Sequence, residues 1–260
     1  MFHMVAYSMQ RVGATPALTV VTPVQDTILT TQGNSFVVPA ALSKLWGAVV
    51  AAGTGIAAGT PTLAQLQSPG LRRVFQQDLP LVNDTLTYEY HDEHGNLCPW
   101  APVPLDPGEG IQAFTAHGAL ALNETAVYML LGDGPVVKPT GEIRTIRYTS
   151  VCAAVTRVWT LGVLGITQEL PQGRYQVVGA RVSNLTEYGA FRLVFTEGNW
   201  RPGGMMLHGP QSPESMLQRR GNLGIWGEFD WRELPRFEVC SLLAAPVANP
   251  AVFLDLIKVS

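Results

Sequence analysis

From Ile143 to Val259 the apolar positions fall in about eight short strand-like runs, and turn residues break the runs at close intervals. The runs are Ile143–Cys152, Val155–Ile166, Arg174–Ser183, Ala190–Thr196, Gly204–His208, Leu223–Asp230, Phe237–Ala244 and Val252–Val259. Leu170-Pro171-Gln172-Gly173 and Arg201-Pro202-Gly203-Gly204 are two of the breaks. Short runs at that spacing, with turn residues between them, predict antiparallel strands packed as a β-sandwich or jelly roll.

The first half is less regular. Leu18–Val21 and Phe36–Val38 read as short strands on either side of a turn at Gln32-Gly33-Asn34. Leu42, Leu45, Trp46, Val49 and Val50 then fall at the spacing of one helix face, with Pro39 near the start and Gly53 past the end. A second short helix is expected from Thr60, with Pro61 in its first turn, to about Gln67. Ser68–Pro80 reads as a loop or extended arm, Thr85–Tyr90 as a strand, and the proline-rich Pro99–Gly110 as a long structured loop. Ile111–Ala116, Gly118–Leu122 and Ala126–Leu131 follow as strands before Gly132-Asp133-Gly134-Pro135 breaks the chain. The expected architecture is therefore all-β: antiparallel β-sandwiches, two in tandem, with domains at 1–135 and 136–260. A short helical insertion at about 39–67 interrupts the first.

Composition adds a constraint. Hydrophobic residues make up 47% of the 260 and charged residues only 14%, well below the usual quarter. So little charge leaves apolar surface for partners to cover, which predicts an oligomer. Net charge is −3, lysines are confined to Lys44, Lys138 and Lys258, and the basic pairs are Arg72-Arg73 and Arg219-Arg220. A nucleic-acid groove needs a basic stripe, so no direct sequence-specific contact with nucleic acid is expected. Met1–Val12 lacks the basic and apolar regions of a signal peptide, and no apolar stretch is long enough for a membrane span.

Candidate chemistry is sparse. The segment Gly53-Thr54-Gly55-Ile56-Ala57-Ala58-Gly59 has phosphate-loop glycines, but the expected helix precedes it where a strand is required. It reads better as a helix end and loop. His91, His94 and Cys98 offer zinc ligands, yet a fourth is missing nearby and a solvated hairpin tip accounts for them equally well. Cys152 and Cys240 lie in apolar runs and are expected as buried thiols. Glu187, Glu197, Glu228, Asp230 and Glu233 are scattered acids whose ordinary role is pairing with arginine. Trp200, Trp226, Phe229, Trp231 and Phe237 fill a core or interface, or stack on a sugar ring. No residue is assigned to catalysis, cofactor binding or metal binding, and neither cofactor nor enzyme activity is expected.

The stretches Arg174–Val182, Ala190–Phe195 and Asn199–Gly204 resemble the strand series of viral jelly-roll coat proteins. The length is similar to that of the compact double jelly-roll major capsid proteins of small tailless bacterial viruses. This resemblance implies a structural virion protein without enzymatic activity, self-assembling as trimers or a larger lattice with other virion proteins. It also implies assembly in the host cytoplasm and residence in the virion. A single jelly roll with an elaborated N-terminal region fits the same residues. A carbohydrate-binding, lectin-like β-sandwich is the alternative function.

Overall fold

The computed structural model describes residues 1–12, 15–52, 63–80, 82–83, 95–117, 122–165, 167–183, 189–206, 218–241 and 249–260. Among these the chain is all-β, and its helical pieces are single 3-10 turns at Ala40–Leu42 and Pro69–Leu71. No helix among the described residues is long and apolar enough to cross a membrane. The chain divides into two compact units. Val5–Asp133 form an N-terminal unit, while Gly134–Ser241 and Ala245–Ser260, together with Met1–Met4, form a C-terminal unit.

The strands of the N-terminal unit are β1 (Phe2–Val12), β2 (Thr15–Val20), β3 (Thr31–Gln32), β4 (Ser35–Val37), β5 (Lys44–Ala52), β6 (Leu63–Ser68), β7 (Arg73–Pro80), β8 (Val82–Asn83), β9 (Gly95–Leu97), β10 (Val103–Pro104), β11 (Gly110–His117) and β12 (Leu122–Gly132). One sheet runs β1-β12-β5-β10, with β8 and β9 also on β5; the other runs β3-β4-β11-β6-β7, with β2 also on β11. Tyr7, Phe36, Leu45, Leu66, Ile111 and Tyr128 are buried in this unit. The Tyr7 hydroxyl donates to the Ile111 carbonyl at 2.8 Å, which satisfies its polar end inside the core. The Pro99–Gly110 loop is pinned by buried Glu109, which accepts from Arg73 Nη2 at 2.8 Å and from the Asp106 N–H at 2.6 Å.

The helix expected over Leu42–Val50 is a strand instead. All five residues of the expected helical face are buried, but they lie on β5 or in the 3-10 turn before it. Two effects create the false period. Leu45–Val50 of β5 are buried on both faces, so no polar side chain marks an outer face and alternation vanishes. A bulge then adds one residue: Leu130 pairs with Gly47 and Leu131 with Leu45, which leaves Trp46 as the extra residue. Gly47 adopts φ +133 there, a conformation open to glycine. Val49 and Val50 consequently point to opposite faces of the sheet.

The second expected helix, from Thr60 to about Gln67, is corrected over its described part. Leu63–Ser68 is β6, held between β11, with which it pairs without a break, and β7, with which its register shifts twice. Leu, Ala and Gln favour helices, and central sheet position overrides that preference. The segment after it, expected as a loop or arm, contains β7. Phe2–Val12, assigned no element from sequence, is β1. The Thr85–Tyr90 strand and residues 118–121 lie outside the described residues.

In the C-terminal unit each of the eight expected runs carries a strand: β13 (Ile143–Val151), β14 (Thr160–Gly165), β15 (Arg174–Ser183), β16 (Gly189–Val194), β17 (Gly203–Met206), β18 (Gly227–Asp230), β19 (Arg236–Ser241) and β20 (Ala251–Lys258). They form one sheet in the order β17-β16-β19-β14-β13-β20-β15-β18. Only Thr149–Val151 of β13 pair with β14, so this junction links two four-stranded halves. Those halves are β13-β20-β15-β18 and β14-β19-β16-β17. Taking strands in chain order, the first half reads first, eighth, third, sixth, and the second reads second, seventh, fourth, fifth. The N-terminal unit contains the same two sequences of neighbours, β1-β12-β5-β9 and β2-β11-β6-β7.

The Trp46 bulge gives a direct test of packing. A Cβ on Gly132 would stand 2.2 Å from Trp46 Nε1. Replacing Gly132 by Ala is expected to cost about 1–3 kcal/mol through overpacking, and Trp46→Ala about 3–5 kcal/mol through cavity formation. In the double variant the glycine substitution should add almost nothing, because the ring it strikes is gone. Urea unfolding midpoints measure all three, and simple additivity would refute this packing.

Candidate interaction surface

The β13–β14 corner presents an aliphatic surface. Along β14 exposure alternates, with Gly162 and Leu164 inward and Leu161 and Val163 outward. Val163 pairs directly with Val151 of β13. These two valines are 68% and 76% exposed, which excludes them from the core. The connection between the strands adds Val155 and Val158, joined by an isolated bridge and both half-exposed or more. Arg157 sits between them at φ +58, closing a turn in which the Val158 N–H donates to the Val155 carbonyl. Gly162 makes the corner close-packed: a Cβ there would lie 2.6 Å from the Phe237 ring and 3.3 Å from Cys152. Five exposed aliphatic side chains on one corner form the kind of patch that marks an interaction site.

Two buried ionic groups lie elsewhere on the same sheet. Arg192 is fully buried, donates to Glu238 Oε2 through Nε at 3.0 Å and Nη2 at 2.6 Å, and lies 3.9 Å beneath the Trp159 ring centroid. Asp255, also fully buried, accepts from the Thr145 hydroxyl, from Arg181 Nη1 at 3.2 Å and from the Arg220 N–H at 2.9 Å. Burial, followed by repulsion from Arg181, holds the Arg219 guanidinium below its ordinary value, with Asp255 opposing.

The structure brings some sequence candidates together and separates others. Glu197, Glu228, Asp230 and Glu233 surround a small cavity of about 70 Å³ beside Arg174. Arg174 approaches Glu228 at 3.5 Å and Glu197 at 3.9 Å, while Glu233 accepts from the Thr196 hydroxyl. These acids thus act as charge and hydrogen-bond partners. Glu187, His91, His94 and the glycines from Gly53 to Gly59 lie outside the described residues. Cys98 is half-buried beside β9, and among the described residues no group of three or more acids, histidines or cysteines is placed to hold a metal. Trp226, Phe229 and Phe237 are buried, and Phe2 meets Trp226 edge-on, so this part of the aromatic cluster is core. A larger cleft of about 500 Å³ opens between β13 and the Gln168–Pro171 turn. Its floor holds Ile146 and Leu256, and its rim carries Glu142, Arg144, Glu169 and Lys258. Among the described residues no histidine, cysteine or serine lines it.

The aliphatic corner was missed in the sequence, although a signal is present. Leu161-Gly162-Val163-Leu164 lacks the polar residue that an outward-facing strand position ordinarily carries. No family model, curated protein or solved structure matches this chain.

Two expectations test the buried groups. Asp255→Asn removes the carboxylate from a cluster of arginines and is expected to cost about 3–5 kcal/mol, read from denaturant unfolding. A loss near zero would show that the carboxylate does not neutralise the cluster. The thiols and phenols set the alkaline limit. Burial pushes Cys240 from its ordinary 9.0 up to about 12, and Tyr148 from 10.0 up to about 12 with Tyr175 adding to the rise. The folded state holds the neutral forms, so their contribution is complete below the unfolded values and is lost as pH climbs towards 12. Melting temperature should be flat through neutrality and fall above pH 9.0. At neutral pH a thiol reagent should modify Cys98 in the native chain and reach Cys240 only after unfolding.

Proposed function

We propose that this chain is a structural coat protein of a virion, built as two jelly rolls in tandem and assembling laterally into trimers or a larger lattice with other virion proteins. One observation carries the reading: both units contain the same eight-strand order, with the last strand between the first and third. We read that order as two interleaved Greek keys, and it supports a jelly roll in each unit. In the N-terminal unit β3, β4, β8 and β10 are additions to it. The low charge content supports assembly, since a chain with 14% charged residues leaves apolar surface to be covered. The corner of Val151, Leu161 and Val163 supplies such a surface. The host-cell cytoplasm is the place of assembly on this reading, and the protein acts by packing against its neighbours rather than by catalysis.

Light scattering on the purified protein, with electron microscopy of any large species, tests the proposal. Trimers or larger regular assemblies are expected, and obligate interfaces of this kind bury roughly 2,000 Å² or more. Replacing Val151 and Val163 together by Glu should shift the population towards monomer and leave the melting temperature nearly unchanged. A wild-type chain that stays monomeric at high concentration would overturn the proposal.

A further inference from the structure

The geometry points to a binding surface for single-stranded nucleic acid, read without regard to sequence, on the β13-β20-β15 face of the C-terminal unit. This inference rests on that unit alone and holds whether or not the chain coats a virion.

Three strands place Arg147, Phe253 and Arg181 in one row. Arg147 pairs with Phe253 across β13 and β20, and Phe253 pairs with Arg181 across β20 and β15. Directly paired residues share a face of the sheet, and neighbouring strands lie roughly 5 Å apart. Arg147 and Arg181 therefore stand on the same face as Phe253, one on each neighbouring strand. Arg147 is exposed, Phe253 and Arg181 are half-buried, and the Arg181 guanidinium carbon lies 5.4 Å from the Phe253 ring centroid.

The next row brings two more arginines. Thr145, Asp255 and Gly179 pair across the same strands. The backbone carrying Arg219 and Arg220 docks over Gly179: the Ala180 N–H donates to the Gln218 carbonyl at 3.0 Å and the Gly221 N–H to the Val178 carbonyl at 2.6 Å. A Cβ on Gly179 would stand 2.6 Å from that Gln218 carbonyl, so the approach depends on glycine. Arg181, Arg219 and Arg220 thus gather near Asp255, and Arg147 stands two residues along β13 from the Thr145 that pairs with it. The buried carboxylate pairs with Arg181, and Arg219 and Arg220 bring further positive charge beside it.

The ligand follows from this chemistry. Guanidinium forks recognise phosphate oxygens bidentately. An aromatic ring between them offers a platform for an unpaired base, and stacking of this kind tolerates any sequence. A duplex keeps its base faces stacked inside and gains nothing from Phe253, which favours the single strand.

Fluorescence anisotropy with a labelled oligothymidine tests the inference. Binding is expected at low salt, and log affinity should fall linearly with log salt at about 0.7 per phosphate contacted. Arg147→Gln and Arg220→Gln alter exposed side chains and should each flatten that slope by about 0.7 with an unchanged melting temperature. Phe253→Leu should weaken binding by about fivefold or more and leave the slope unaltered. Absence of binding at low salt would overturn the inference, as would arginine variants with the parental slope. Equal affinity for heparin and duplex DNA, with Phe253→Leu silent, would reduce the surface to a general polyanion contact. Preferential capture by phosphatidylserine vesicles would assign it to lipid instead.

Discussion

Each unit is held together by the strand that comes last in its series. β20 lies between β13 and β15, and β12 lies between β1 and β5. In both cases two strands distant in sequence depend on a third for their inner hydrogen bonds. The Thr145–Asp255 contact, which spans 110 residues of chain, belongs to this arrangement. Remove the last strand and the first and third are left with unpaired edges, so no smaller set of strands makes a closed layer.

Much else in the C-terminal unit follows from that central strand. Its inward residues Val252, Leu254 and Leu256 are buried, and its outward residues Phe253 and Asp255 organise the arginine-rich face. Because β20 is flanked on both sides, its outward side chains sit in fixed register with those of β13 and β15. The sheet thereby turns residues 147, 181 and 253 into neighbours. A loop anchored on Gly179 completes the group with Arg219 and Arg220.

Legibility differed between the two units for physical reasons. In the C-terminal unit the strands are short and separated by turns, so runs such as Arg174–Ser183 coincide with β15. In the N-terminal unit β5 is buried on both faces and carries an extra residue at Trp46, which mimics a helical period. β6 uses helix-favouring Leu, Ala and Gln because pairing with β11 and β7 dominates. The aliphatic corner was visible only as a missing polar position near Val163. The arginine face was not visible at all, because Arg147, Arg181 and Arg219 are remote in sequence and meet only through strand pairing. The basic pair Arg219-Arg220 was noticed in isolation, and a pair alone makes no stripe.

The central position of a late strand also governs time. Contacts such as those of β20 with β13 close loops of a hundred residues or more, so their entropic cost is met before local gains accumulate. Proteins dominated by such distant pairings fold slowly, in milliseconds to seconds. Throughout that interval β13 and β15 stand as open edges able to pair with other chains. The concentration of newly made chains is thus a variable on which the yield of correctly folded protein depends.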